Sequence, residues 1–109
     1  MRQVTVEEAR DLLASTEPPQ LVDCRQPWEH ALCALPNARL CPLGEIEEHV
    51  AELDPSRPVL VYCHAGVRSV NAAILLERAG FTAMSMRGGI EAWSRVTAAD
   101  ILGAADAEH

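Results

Sequence analysis

The chain has 109 residues, 49% of them hydrophobic, which suits a single globular domain with a core of its own. Nine arginines against sixteen acidic residues give a formal charge of -7, which disfavours binding to phosphate backbones or anionic lipid. Lysine is absent, so Schiff-base chemistry and a lysine-bearing phosphate loop are excluded, and fixed positive charge in a site must come from arginine.

The opening residues Met1 to Glu8 turn acidic before an apolar run could form a signal peptide, and no stretch approaches the ~20 apolar residues of a membrane span. A cytoplasmic setting is therefore expected, without membrane or nucleic acid partners. The cysteines Cys24, Cys33, Cys41 and Cys63 would be free thiols there. Their spacing contains no Cys-x-x-Cys pair, so neither a metal nor another cofactor is expected.

Thr5 followed by Glu8 is a capping-box pattern, and Val6, Ala9, Leu12 and Leu13 then recur at helical spacing, predicting a helix over about residues 6 to 14. The runs Leu21 to Cys24 and Val59 to Cys63 are short, apolar and bounded by turn signals, and read as buried parallel strands. Pro27 suits the first position of a short helix through Trp28 to Leu32, and Ala38 to Cys41, stopped by Pro42, reads as another strand. Leu43, Ile46, Val50 and Leu53 mark an amphipathic helix with its glutamates outward, whereas Val70 to Ala79 is apolar nearly all round and should be more buried. Gly80 is placed to close that helix, Thr82 to Met86 gives a strand, and Gly88-Gly89 turns the chain into a last helix carrying Ile90 and Trp93. Both tryptophans are expected to pack in the core or at the sheet edge, and His30 and His49 to lie on the surface.

This alternation predicts a three-layer α/β/α domain around a central, mainly parallel sheet of about five strands, with ligands outside the carboxyl ends of the strands. Cys63 ends one such strand and opens into a glycine-containing loop and then a helix. Its sulfur should face the helix amino end and several unpaired backbone N–H groups, a setting that holds anions and favours thiolate. Arg68 can add positive charge, Gly66 allows the tight turn, and Ser69 can cap the helix or donate its hydroxyl to a bound anion. A cysteine at a strand end is often a small hydrophobe and no more; the loop that follows is what reverses that reading.

Four segments together resemble a rhodanese domain over about residues 4 to 95: Leu21-Val22-Asp23-Cys24-Arg25-Gln26-Pro27-Trp28-Glu29, Leu35-Pro36-Asn37-Ala38, Val61 to Ser69, and Gly88 to Trp93. The resemblance implies one rhodanese-like domain over residues 1–109, with 96–109 as a C-terminal extension. It implies a sulfurtransferase in which Cys63 attacks a sulfane sulfur and carries it as a persulfide. His64, Ala65, Gly66, Val67, Arg68 and Ser69 would form the binding loop. The donor would be thiosulfate or a persulfide, with a protein as possible donor or acceptor. Alternatives are a rhodanese-like binding or regulatory module with an incidental cysteine, and an arsenate reductase or phosphatase-like enzyme. Relatives of the last kind carry Cys-x5-Arg loops, whereas this chain has the Cys-x4-Arg length of sulfur transfer.

The chain departs from its relatives in places. Cys24 stands where many have valine, and it lies near Cys63 if the two strands are neighbours, although core packing is the favoured role. His64 stands where arginine is frequent, which weakens capture of a dianion such as thiosulfate, and it is expected to line the loop or face solvent. Cys33-Ala34-Leu35-Pro36 replaces the usual Gly-His-x-Pro and resembles rhodanese domains fused to adenylyltransferases that act on ubiquitin-like sulfur carriers. Asp23, Arg25 and Glu29 are expected, from the resemblance, to brace the loop through ion pairs.

Overall fold

The computed structural model describes the backbone of residues 1–107 and the side chains of residues 1–98. Five strands form one sheet: β1 (Arg2–Val4), β2 (Gln20–Asp23), β3 (Arg39–Leu40), β4 (Val59–Tyr62) and β5 (Ala83–Met86). Their order is β1-β5-β4-β2-β3, and every neighbouring pair is parallel. The helices are α1 (Val6–Leu13), α2 (Pro27–Leu32), α3 (Ile46–His49), α4 (Arg68–Arg78) and α5 (Gly89–Ala107). Among the described residues, no helix is long and apolar enough to cross a membrane.

β4 lies at the centre with all four residues buried, so both of its faces must be apolar, as its run of Val, Leu, Val and Tyr provides. Successive strand side chains point to opposite faces, and this alternation divides the core in two. Val59, Val61 and Cys63 join Val22, Cys24 and Cys41 on the face that α3 and α4 cover. Leu60 and Tyr62 join Leu21, Met84 and Met86 on the face packed by Val6 and Ala9 of α1 and Ile90 of α5. The chain leaves β2 toward β3 and leaves β4 toward β5, so the carboxyl ends of β2 and β4 flank the point where the topology diverges. Open α/β sheets place their crevice at such a point.

Several expectations need correction. The first strand, Arg2–Val4, was not anticipated, because three residues with one buried side chain carry no apolar pattern; only pairing with β5 makes them a strand. The expected third helix is α3 flanked by 3-10 turns at Leu43–Glu45 and Val50–Glu52. Its apolar positions still reach the core, Ile46 and Leu53 fully and Leu43 and Val50 in part. Trp28 is 65% exposed instead of packed, because the inward positions of α2 are taken by Glu29 and His30. His30, expected at the surface, is half-buried against Asp23, while Trp93 does pack partly against the core.

Candidate active site

The site grows out of the end of β4. Backbone pairing of β2 with β4 continues one step past the strands, where the Cys24 N–H donates to the Tyr62 carbonyl at 3.0 Å. Cys63 therefore emerges buried, 1% exposed, beside Cys24 at 0%. The loop from His64 to Val67 then turns over the sulfur, and α4 starts at Arg68. The Gly66 N–H points at Cys63 Sγ at 3.1 Å and the Ser69 N–H at 3.4 Å, so a helix amino end and a loop amide converge on one sulfur. Ser69 does not cap α4, whose N-cap is Val67; its hydroxyl lies 3.4 Å from Sγ and 2.8 Å from the Ser85 hydroxyl. Ser85 on β5 is a contribution that the sequence reading missed, because serine in an apolar strand gives no signal of its own.

These contacts explain the ionisation of Cys63. A hydrogen bond from the Cys24 thiol is the largest influence, with the Ser69 hydroxyl and the Ser69 and Gly66 amides adding to it against the opposing effect of burial. Together they bring Cys63 down to about 4, so the sulfur is a thiolate at neutral pH. Cys24 shifts the other way, held as a thiol by its hydrogen bond to the Cys63 sulfur and by burial.

The loop is held from outside as well. The Ile90 N–H donates to the Cys63 carbonyl at 2.9 Å and the Glu91 N–H to the His64 carbonyl at 3.0 Å, so the first amides of α5 engage the loop's own carbonyls. This requires close backbone approach at Gly89, where φ is +62° and a Cβ would lie 2.4 Å from both the Cys63 and His64 carbonyl oxygens. Gly66, at φ +95°, packs closely against Gly88, whose N an added Cβ would approach to 2.8 Å.

Arg68 does not point its charge freely into the loop. Its guanidinium forks onto Glu29 at 2.7 and 2.9 Å, and that pair holds Glu29 down at about 2. Arg68 is thus a clamp between α4 and α2. On the opposite sheet face, buried Asp23 accepts from Arg25 at 2.8 and 2.9 Å, from the Tyr62 hydroxyl at 3.1 Å and faces His30 Nδ1 at 2.8 Å. Burial pushes Asp23 up, but its bonds to Arg25 and His30 outweigh that and leave it lowered. The Tyr62 hydroxyl also accepts the Leu35 N–H, tying the segment after α2 to β4, and burial pushes its phenol up to about 12. This network turns away from the sulfur and serves as a brace. His64 and Val67 are exposed, and His64 Nε2 is 3.7 Å from Glu91. Among the described residues no cluster of three or more His, Cys, Asp or Glu side chains is arranged to hold a metal ion.

A parallel α/β domain whose central strand ends in a thiolate cradled by loop and helix amides defines a cysteine-dependent anion or sulfur site. A family model described as Rhodanese-like domain matches residues 5–96, and the chain belongs to that family. It is 35% identical over 96 residues to a sulfurtransferase of Allochromatium vinosum, covering 87% of this chain and 90% of that one. It is also 35% identical over 102 residues to the probable adenylyltransferase/sulfurtransferase MoeZ of Mycobacterium tuberculosis, matching 91% of this chain but 26% of that protein. Among solved structures, a rhodanese-like domain protein from Staphylococcus aureus superposes with a TM-score of 0.80 at 32% identity, covering 85% of this chain and 91% of that chain. These relatives support an enzyme of sulfurtransferase type.

Proposed function

We propose that the chain moves sulfane sulfur through a persulfide on Cys63. The observation that carries this reading is the convergence of the Gly66 and Ser69 amides and the Ser69 hydroxyl on one buried thiolate. Attack of the Cys63 thiolate on a donor R–S–SH forms the Cys63–S bond and breaks the donor's S–S bond, and the donor leaves as thiolate with that electron pair. An acceptor thiolate then attacks the outer sulfur and releases Cys63 as thiolate. No net oxidation occurs.

The neighbourhood favours a thiol persulfide, small or protein-bound, over thiosulfate. Arg68 is neutralised by Glu29, and His64 stands 3.7 Å from Glu91, so the loop's own side chains offer little unbalanced positive charge to a dianion. A cleft of about 620 Å3 beside the loop, lined by Trp28, Leu32, His64, Ile90 and Arg95 among others, offers a landing place for the partner.

Intact-mass measurement tests this. Incubation with glutathione persulfide should add one sulfur atom, more readily than incubation with thiosulfate, and Cys63→Ser should take up none. Failure of both donors to modify the wild-type protein would remove the sulfur-transfer reading and leave a binding module in its place.

A further inference from the structure

We propose that Cys24 is the resolving thiol of Cys63, and that hydroperoxides convert the pair into an intramolecular disulfide, a reversible modification of the site. Three observations converge on it.

The first is the register. Asp23 pairs with Tyr62, so Cys24 and Cys63, one residue on in adjacent parallel strands, stand side by side and share a sheet face. Neighbouring strands run ~4.8 Å apart, inside the ~4.4–6.8 Å between Cα atoms that a disulfide bridges. Both side chains lie in the same core cluster and each is the largest influence on the other's ionisation, so the sulfurs are neighbours without any change of strand order.

The second is isolation. Cys24 is wholly buried, and Cys63 is separated from solvent by the loop, whose residues His64, Ala65 and Val67 are exposed. An oxidant that passes the loop meets Cys63 first. Cys41 follows Leu40, the partner of Asp23, and so stands on the other side of Cys24 in the same core cluster, where burial pushes its thiol up. Cys33 is exposed and lies outside this row.

The third is the division of labour between the sulfurs. Cys63 is the thiolate that attacks an electrophilic peroxide oxygen, and Cys24 is the thiol that keeps its proton for the next step. The Cys63 thiolate breaks the O–O bond of ROOH, is oxidised by two electrons to the sulfenic acid, and releases alkoxide, which is protonated by water. The Cys24 sulfur then attacks the sulfenic sulfur; the S–S bond forms, the S–O bond breaks, and hydroxide leaves with the Cys24 proton as water. A dithiol reductant returns two electrons and restores both thiols.

The test treats the full-length protein with hydrogen peroxide and maps peptides without reduction. The expected product has lost two hydrogen atoms, joins the Cys24 and Cys63 peptides, cannot be alkylated at Cys63, and regains alkylation after dithiothreitol. In Cys24→Ser, and in Cys24→Ala as a second variant, the linked peptide should vanish and Cys63 should gain two or three oxygen atoms that dithiothreitol does not remove. The proposal is overturned if wild-type Cys63 over-oxidises as readily as in the variants, or if the link runs to Cys33 or Cys41. The wild-type map decides even if a variant folds poorly. No sulfur donor is involved, so failure here is distinguishable from failure of persulfide transfer.

Discussion

Ser69 offers the sharpest quantitative test, because its hydroxyl lies between the Cys63 sulfur and a second buried hydroxyl. It sits 3.4 Å from Cys63 Sγ and 2.8 Å from Ser85 Oγ, and both serines are buried. Ser69→Ala removes a donor to a charged sulfur, worth ~1.5–3 kcal/mol, and strands the Ser85 hydroxyl at a cost of ~1–3 kcal/mol. At ~1.36 kcal/mol per pKa unit the first effect raises Cys63 by ~1–2 units from about 4. A thiolate with a depressed pKa contributes stability that is complete above the unfolded thiol's value and lost as pH falls through the folded one. The penalty of Ser69→Ala should therefore be larger at pH 7 than near pH 4, where Cys63 is taking up its proton. Ser85→Ala alone leaves Ser69 bonded to the sulfur and should cost only ~0.5–1.5 kcal/mol. The double variant no longer strands a hydroxyl, so it should fall short of the sum of the singles by ~1–2 kcal/mol. Thiolate ultraviolet absorbance against pH reads the first quantity, and denaturant unfolding of all four proteins reads the second. An unmoved Cys63 titration in Ser69→Ala, or additive losses, would refute the hydroxyl chain as the support of the thiolate.

Glu29→Gln should lower stability by ~1 kcal/mol at pH 6, discounted because Arg68 is partly exposed. That gap should narrow as acid takes the wild-type Glu29 from its ordinary value toward about 2, so an equal gap at both ends of that range in denaturant titrations contradicts the clamp. Gly89→Ala forces a Cβ to within 2.4 Å of two backbone carbonyl oxygens at a left-handed φ, and should cost at least ~2–3 kcal/mol and slow alkylation of Cys63; a neutral effect on melting would show that the α5 contact is dispensable. Tyr62→Phe leaves the buried Leu35 N–H without its acceptor and should cost ~1–3 kcal/mol, with faster hydrogen exchange at that amide as the local readout. Unchanged exchange there would mean the Tyr62 hydroxyl does not anchor the segment.

The Cys63 loop and the amides around its sulfur were legible in the chain because their signals are local. Strand, loop and helix follow one another from Val59 to Arg78, so a glycine-bearing turn after Cys63 already implies amides facing the sulfur. Apolar runs bounded by turn signals likewise located the buried strands, and helical spacing located α1. The strand Arg2–Val4 escaped for the converse reason, since it exists only through pairing with β5. The helix α2 was expected, but it is too short for periodicity to tell that Glu29 and His30 face inward while Trp28 faces out.

By itself, then, the sequence determined that Cys63 sits at the head of a glycine-bearing turn between a strand and a helix, that Arg68 is near it, and that a parallel sheet carries both. Only the tertiary structure decided what each of these meets. The Arg68 charge is spent on Glu29, 39 residues away, and the Cys63 thiolate is supported by Cys24 and, through Ser69, by Ser85. Those pairings depend on strand order and register, which bring distant segments within hydrogen-bonding reach, and no local pattern of residues encodes a distance of that kind.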